Sequence, residues 1–448
     1  MINISKKEAF FLFSGDIFVF FISLWIALYI RFGEMPTWVR FDLHLRPFTI
    51  LFVIWLLIFF IAGLYEKHTL ILKSKLPSII FNAQVVNSIF AIVFFYVVPF
   101  FGITPKTILF IYLVVSFALL LGWRLNSHLF LGRVDKQPAL LIGSGTEMKE
   151  LLHEVNDNNV YDFYFVTSFD VESLASLDIQ EDIIKQVYSN NLKIVAIDFS
   201  HENVGPLLPH LYNLIFSRVR FIDSHRIYEE IFDRIPLSLV TYSWFLENIS
   251  VSPKFTYDFL KRLMDFTIGL VLGTLSLFLY PFVYIAIKLD DRGEIFISQE
   301  RVGRDGKLIK LYKFRSMSLS ESTINKSSEN VVTRVGEFLR KSRIDELPQL
   351  WNILVGDISL IGPRPELPTG VAIYDKEIPY YNIRHLIKPG LSGWAQIHQE
   401  NHPHHGAEVK LTKEKLTYDI YYIKNRSFWL DIKIALKTIK ELISRTGK

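Results

Sequence analysis

The sequence predicts a membrane protein of mixed class: a four-helix transmembrane bundle, a separate α/β domain, and a mainly α domain with a membrane segment of its own. Three observations predict it. Four long apolar runs lie in the first 130 residues, strand-like and helix-like segments alternate over 137–250, and an isolated apolar run, 266–287, is followed by short basic motifs. Composition agrees. Half of the 448 residues are hydrophobic, yet 21% are charged and the net charge is only +4. That is too apolar for an ordinary soluble protein and too charged for spans alone. The length suits about three units of ~150 residues each. There is no cysteine, which excludes disulfides, zinc thiolates and thiol nucleophiles.

The four runs lie near 9–30, 47–64, 79–101 and 107–123 within a region 1–136. Each has about the ~20 residues that a bilayer crossing needs. The first follows Lys6 and Lys7, but it contains Asp16 and no small-residue cleavage site, so it reads as a retained span. Gly102-Ile103-Thr104-Pro105 predicts a tight hairpin between the last two. Lys67, Lys73, Lys75, Arg124 and Arg133, with Lys6 and Lys7, favour both ends in the cytoplasm; Arg31, Arg40 and Arg46 in the first loop argue the other way. Asp16 and Arg31 are expected to face the bundle interior as structural polar contacts.

In residues 137–250, PALLIGSG reads as a strand, TEMKELLHEVND as a helix, and YDFYFVTSFD, LKIVAIDFS and RVRFID as further strands. That alternation predicts a parallel α/β sheet. GSGTEM matches part of a dinucleotide fingerprint, with Met148 at the third glycine position, so the domain reads as a degenerate Rossmann-like module with a structural or regulatory role. The third domain, 251–448, begins with the segment 261–289. Lys261 and Arg262 precede its apolar run, Lys288 and Arg292 follow it, and Pro281 interrupts it. Cations at both ends resist placing either end outside, and a proline breaks the backbone ladder, so a re-entrant helix is expected. The alternative is a fifth, kinked span, which would put 290–448 on the outer face. SLSESTINKSSEN, 318–330, is a polar loop.

The stretch SRIDELPQLW places Asp345 and Glu346 among Arg340, Lys341 and Arg343. Ser342-x-x-Asp345 fits a helix-capping pattern, and Leu347, Leu350, Trp351 and Leu354 predict an amphipathic helix from about here, with Pro348 near its start. Capping accounts for Asp345 but not for the cations. Those form a wider constellation: Arg301 in QERVGR, Lys313 and Arg315 on the strand-like LYKFRSM, and Arg364 in a rigid Pro-Arg-Pro turn suited to bidentate phosphate binding. The basic excess is modest and no nucleic-acid motif accompanies it, so no nucleic-acid partner is expected. A carboxylate is already ionised at neutral pH and can attack phosphorus without a base, giving an aspartyl-phosphate type of intermediate. Cations and a helix N-terminus would hold it ionised and bind the phosphate. Mg²⁺ is the expected ion for such chemistry.

KRLMDFTIGLVLGTLSLFLYPF, SQERVGRDGKLIKLYKFRSM, TRVGEFLRKSRIDELPQLWNILVGDISLIGPRPE and KPGLSGWAQI occur in that order. Together they resemble the bacterial sugar transferase family, the monotopic polyprenyl-phosphate sugar-1-phosphate transferases, over about 255–448. The four spans and Rossmann-like domain before them resemble its large members, which initiate O-antigen, capsule or exopolysaccharide synthesis. The resemblance implies a bacterial cytoplasmic (inner) membrane protein, multi-pass, with its catalytic domain on the cytoplasmic face. It implies two steps: Asp345 takes the sugar phosphate from a UDP-sugar, UMP leaves, and undecaprenyl phosphate takes the phosphosugar. Asp345 carries over as nucleophile and Mg²⁺ contact, Glu346 as its partner, and Arg340 and Arg364 as phosphate binders. Lys313 and Arg315 fall in the family's basic strand motif, and Pro281 in its re-entrant break, where Tyr280 replaces the usual serine. Partners so implied are the UDP-sugar, undecaprenyl phosphate and the lipid bilayer, and a homodimer is entertained. A membrane glycosyltransferase that releases UDP is the competing reading, and a nucleotide-sensing scaffold is the third.

His398, His402, His404 and His405 depart from the family pattern; a solvated loop is favoured over a zinc site. YDIYYIKNRSFWLDIKIALKTIKEL predicts an amphipathic C-terminal helix that lies on the membrane surface or packs on the catalytic core.

Overall fold

A computed structural model describes residues 4–65, 76–98, 106–131, 136–158, 161–172, 183–199, 201–238, 240–250, 252, 254–290, 292–319, 330–399 and 408–444. The chain divides into two compact units, Met1–Ile227 and Tyr228–Lys448.

The first unit opens with four helices: α1 (Ile4–Phe32), α2 (Trp38–Ile61), α3 (Leu76–Val97) and α4 (Lys106–Leu131). Each contains a segment long and apolar enough to cross a membrane: Phe10–Phe32, Trp38–Ile61, Leu76–Val97 and Thr107–Asn126. This is a membrane protein. Phe20, Phe48, Trp55 and Tyr112 are fully buried between the helices, and Phe10, Phe18, Phe81 and Tyr96 are exposed on the outside. That distribution suits helices surrounded by lipid. Asp16 is buried and ion-paired with Arg124, and Tyr65 donates to Asp16 Oδ2 at 2.7 Å. Arg124 also donates to the Leu64 carbonyl at 2.7 Å. Asp16 thus makes the structural polar contact expected of it. Two neighbouring expectations are corrected: Arg31 is exposed, and Arg124 is a buried partner within α4 instead of a cation that follows the fourth span. The hairpin at 102–105 and Lys67, Lys73, Lys75 and Arg133 lie outside the described residues.

Next comes a mixed α/β domain with a parallel sheet. Its strands are β1 (Gln137–Ile142), β2 (Phe163–Phe169), β3 (Ile194–Ile197) and β4 (Arg220–Asp223), in the order β2-β1-β3-β4. Their core-facing residues are near-continuous runs such as Ala139–Ile142 and Ile194–Ile197, as a sheet covered on both faces requires. The helices between and after them are α5 (Gly145–Asp157), α6 (Lys185–Ser189), α7 (Leu208–Tyr212) and α8 (Ser224–Phe232). Met148 is buried on α5 and fills the space beside Gly143, where a side chain would collide with it. The methionine thus occupies the close helix–strand approach that a third glycine usually makes.

The second unit begins with residues that pack around α9 (Tyr242–Asn248). Ile235, Leu237, Val240 and Phe245 form one core with Tyr374, Tyr381, Leu416 and Ile420. Then come α10 (Phe255–Ser276) and α11 (Tyr280–Asp290), bent by 55° at the break between them. The chain turns at Leu277–Leu279, and Pro281 sits in the first turn of α11, where its missing N–H costs nothing. Tyr280 accepts from Trp351 Nε1 at 3.2 Å and packs edge-on to Phe314.

Lys261 and Arg262, which read as flanking charges, have structural partners. Lys261 donates to the Ile361 carbonyl at 2.9 Å and ion-pairs with Asp431 at 3.0 Å. Arg262 caps the carbonyls of Ile353 and Leu354 at 2.9 and 2.8 Å. The rest of the unit is a hairpin of β5 (Phe296–Val302) and β6 (Leu308–Phe314), a small pair β7 (Met317–Leu319) and β8 (Asn330–Val332), and α12 (Arg334–Lys341). Then follow α13 (Gln349–Val355), β9 (Ser359–Ile361), α14 (Pro368–Glu377), β10 (Gly390–Ser392), α15 (Val409–Asn425) and α16 (Phe428–Ser444).

The C-terminal segment is two helices broken at Arg426–Ser427, and it packs on the core: Ile434 is buried with Ile361, Trp394 and Tyr422. His398 is held as a structural histidine. Its Nδ1 hydrogen-bonds the Trp394 carbonyl at 2.9 Å, and Lys437 donates to Nε2 at 3.2 Å. Burial and the neighbouring Lys437 push its pKa down to about 4, so it is neutral at pH 7. His402, His404, His405 and residues 320–329 lie outside the described residues.

Candidate active site

Asp345 and Glu346 stand on one turn of 3₁₀-helix, Ile344–Glu346, between α12 and α13. Thr333 caps α12 by accepting from the Gly336 N–H. The helix ends at Ser342, whose hydroxyl donates back to the Phe338 carbonyl at 2.8 Å. Ser342 therefore closes the helix behind the dyad and does not cap the one in front. Arg343 follows with φ 57°, a left-handed conformation that few non-glycine residues adopt. It turns the chain sharply and ends one helix before the next begins. Beneath the turn, Phe314, Leu339, Val283 and Ile287 are buried, with Ile344, Leu347 and Tyr280 packed against them. Asn352 pins α13 to the hairpin, donating to the Lys310 carbonyl at 2.8 Å and accepting from the Tyr312 N–H at 3.2 Å. Gly356, at φ 100°, ends α13.

The two carboxylates have opposite surroundings. Glu346 collects cations: Arg364 lies 2.6 Å away, Lys313 3.3 Å, and Arg343 3.8 Å. Burial alone would raise its pKa, but Arg364, Lys313 and Arg343 outweigh that and hold it well below the usual carboxylate range. Asp345 is buried, 8% exposed, and its Oδ1 has no hydrogen-bond partner among the described residues. Burial, together with the negative charge of Glu346, pushes its pKa up to about 6 against the weaker pull of Lys313, Arg343 and Arg340. The cations were expected to hold Asp345 ionised. Arg364, Lys313 and Arg343 lie on Glu346, and Asp345 is a more basic carboxylate that is still mainly ionised at pH 7.

Other residues are placed as follows. Arg340 is exposed in the last turn of α12, close enough for its charge to act on Asp345. Arg301, on β5, donates to the Pro365 carbonyl at 3.2 Å and to Gln299 at 2.6 Å, and burial beside Arg364 lowers its pKa. Arg315 follows the end of β6, where it donates to the Met317 carbonyl at 2.9 Å and covers Gly293.

The Pro-Arg-Pro turn is held by a buried network that sequence reasoning missed. Arg384 donates to the Arg364 carbonyl at 2.9 Å and to the Tyr381 hydroxyl at 2.7 Å, and pairs with Asp419 at 2.9 Å and Glu366 at 3.5 Å. Lys415 is the second cation on Glu366. Burial would raise Glu366, but Lys415 and Arg384 hold its pKa down to about 2. These residues lie in separate segments from 366 to 419 with no local motif to mark them.

A carboxylate with no hydrogen-bond partner on one oxygen among the described residues, beside cations organised by a second carboxylate, can attack a phosphoryl group and hold its charge. Among the described residues no three histidines, aspartates or glutamates cluster to hold a metal by themselves.

The model of the family described as bacterial sugar transferase matches residues 256–445. An Aeromonas hydrophila UDP-N-acetylgalactosamine-undecaprenyl-phosphate N-acetylgalactosaminephosphotransferase is 42% identical over 202 residues, 44% of this chain and 47% of that protein. A Komagataeibacter xylinus undecaprenyl-phosphate glucose phosphotransferase is 31% identical over 331 residues, 68% and 59% of the two chains. The chain thus spans about half the length of these two relatives. A Caulobacter vibrioides UDP-glucose:undecaprenyl-phosphate glucose-1-phosphate transferase is 36% identical over 197 residues, 43% of this chain and 73% of that protein. With this coverage, and with the Asp345–Glu346 site inside the matched region, the chain belongs to the bacterial sugar transferase family.

Proposed function

We propose that the protein transfers a sugar-1-phosphate from a UDP-sugar to undecaprenyl phosphate in two steps. The observation that carries the reading is the Asp345 carboxylate: buried, with an oxygen that has no hydrogen-bond partner among the described residues, beside a Glu346 paired with Arg364 and Lys313. In the first step Asp345 attacks the phosphorus next to the sugar. A carboxylate O–P bond forms, the P–O bond to the UMP phosphate breaks, and its electron pair leaves with UMP. In the second, an undecaprenyl phosphate oxygen attacks the same phosphorus, and the electron pair of the aspartyl O–P bond returns to Asp345. No base is needed, because both nucleophiles are already anionic. Glu346, held ionised, orients Arg364 and Lys313, and these share their hydrogen bonds with the diphosphate as it arrives. Arg301, Arg340 and Arg343 add positive potential around it.

An orphaned carboxylate oxygen, with phosphates supplied by the substrate, suits Mg²⁺, which commonly binds through one or two carboxylates and keeps several waters. Asp345 would hold the ion with the diphosphate. Bound there, it would neutralise the phosphate charge and ease departure of UMP.

The relatives' names and four N-terminal spans support a place in the bacterial cytoplasmic membrane. An even number of spans returns the chain to the side on which it started, the cytoplasmic face. The bent pair α10–α11 is then re-entrant, dipping in and returning. The α/β domain reads as a Rossmann-like module with a structural or regulatory part in the initiation of exopolysaccharide, capsule or O-antigen synthesis.

The test is nucleotide release. Membranes carrying the protein are given undecaprenyl phosphate, Mg²⁺ and a panel of UDP-hexoses and UDP-N-acetylhexosamines. UMP from one sugar, absent with Asp345→Asn, is the expected result. UDP release would mean that only the sugar moves, and would overturn the reading.

A further inference from the structure

Arg343 stands two residues before Asp345, and its main chain and side chain are held very differently. The main chain is fixed on both sides. Its N–H donates to the Arg340 carbonyl at 3.1 Å, and its carbonyl accepts from the Glu346 N–H at 3.2 Å. The side chain makes no hydrogen bond among the described residues; its Nη1 lies 3.8 Å from Glu346 Oε2, an ion pair beyond hydrogen-bond range. Arg364 and Lys313, by contrast, both donate to Glu346 Oε1, at 2.6 and 3.3 Å. Arg343 is also the most exposed of the three, with 39% of its side chain open to solvent against 29% for Arg364 and 16% for Lys313.

Two simpler accounts fall short. A residue that served only to turn the chain at φ 57° would better be glycine or asparagine, since the left-handed region disfavours other side chains. A residue that served only to neutralise Glu346 would add little. Two cations already hydrogen-bond that carboxylate, and a solvent-exposed ion pair at 3.8 Å is weak. Neither account uses what an arginine brings, a planar fork of N–H donors that matches phosphate oxygens.

Its position supplies the use. The ion pair with Glu346 shows that the side chain points towards the dyad, and its charge acts on both carboxylates. Cα atoms two residues apart are at most about 7 Å from each other, so a phosphoryl group at the Asp345 carboxylate is within reach of a long side chain based at residue 343.

We propose that Arg343 binds the diphosphate of the substrate: its guanidinium rests on Glu346 Oε2 before the UDP-sugar arrives and then turns its paired N–H groups onto phosphate oxygens. Arg364 and Lys313 share hydrogen bonds that they already make to Glu346, whereas Arg343 brings unused ones. The exchange favours the substrate, because phosphate oxygens accept the fork at hydrogen-bond distance and Glu346 does not. Arg340 and Arg364 carry over from the family as phosphate binders; Arg343 is assigned by its own geometry.

The inference rests on the two-step reading, and the experiment separates the two. UMP release is measured with the full chain in membranes, with undecaprenyl phosphate and Mg²⁺, at varied concentrations of the UDP-sugar of the panel that the parent uses. Melting temperature is measured in detergent. Arg343→Asn removes the cation and suits the left-handed backbone, so its melting temperature should hold or rise. Its KM for the UDP-sugar is expected to rise about 10- to 100-fold, as for loss of hydrogen bonds to a charged group, with a smaller change in kcat. Arg343→Lys keeps the charge and loses the fork, and should fall between the two. A KM within twofold of the parent in the asparagine variant overturns the role of Arg343 while leaving the reaction intact. A lysine variant no better than the asparagine one, both with lowered melting temperatures, overturns it too, since Arg343 would then serve the fold. If the asparagine variant does not fold, Arg343→Gly decides by the same KM criterion. If the parent releases no UMP from any UDP-sugar, the two-step reading falls and the role of Arg343 with it.

Discussion

The N-terminal bundle and the catalytic unit each bury an aspartate near an arginine, and the two sites differ in what is left over. In the bundle, Arg124 and Tyr65 occupy both oxygens of Asp16, with Nε on Oδ1 at 3.1 Å and the tyrosine hydroxyl on Oδ2 at 2.7 Å. In the catalytic unit Arg364 and Lys313 both gather on one oxygen of Glu346, Oε1, with Arg343 3.8 Å from Oε2, while Oδ1 of Asp345 beside it has no hydrogen-bond partner among the described residues. A buried carboxylate with a cation is therefore not by itself a sign of chemistry, because a saturated pair has nothing to offer a substrate. Two adjacent carboxylates, one paired with cations and one not, divide the work: Glu346 fixes the cations and Asp345 is left to the substrate. The pKa values express the same division, Glu346 held down by its partners and Asp345 raised to about 6 by burial beside that negative charge.

The comparison is broken most directly by Asp345→Asn. UMP release should fall by at least about a thousandfold, as expected for loss of a nucleophile. The melting temperature should hold or rise, because a buried charge with an unpaired oxygen is being removed. Activity near the parent level would show that Asp345 is not the attacking group. Glu346→Gln should behave differently. It leaves Arg364 and Lys313 without their carboxylate in a partly buried site, so it should cost about 3 kcal/mol of stability as well as catalysis. A variant that lost activity with no loss of melting temperature would argue that Glu346 acts on substrate and not on the cations.

Asp16→Asn tests the other region. Arg124 is then left buried against the Leu64 carbonyl with no carboxylate, at a cost of about 2–3 kcal/mol. Thermal melting in detergent should show that loss, while UMP release per folded molecule stays within twofold. A large fall in specific activity would instead give the bundle pair a role in transfer.

Much of this was legible in the sequence, and the limits have physical causes. Spans and parallel strands announce themselves through length and apolar periodicity, and the dyad through cations too concentrated for simple capping. Arg124 read as a charge following the fourth span because hydropathy cannot tell a charge past the end of a span from one folded back against a partner 108 residues away. Ser342 matched a capping box but closes the preceding helix, because the left-handed turn at Arg343 lies between it and Asp345. Arg384, Glu366, Lys415 and Asp419 left no signal, since a buried ion network assembled from distant segments has no period.

The pH dependence sharpens the division between the two carboxylates with the smallest effect. Asp345 must be ionised to attack, and its pKa in the folded protein is about 6, so single-turnover UMP release should be flat above pH 7 and about tenfold lower at pH 5. Stability should not follow it. The Asp345 value lies above the ordinary 3.8, so the folded state takes up that proton more readily than the unfolded one, and this group favours folding more as pH falls through 6. Glu346 has the opposite sign. Its carboxyl lies below the ordinary 4.5, so its contribution is present at neutral pH and is lost only as pH falls below the usual carboxylate range. Between pH 7 and 5, therefore, the rate should drop while the melting temperature does not. If both fell together through pH 6, the titrating group would be one that holds the fold, and the separation of roles between Asp345 and Glu346 would be wrong.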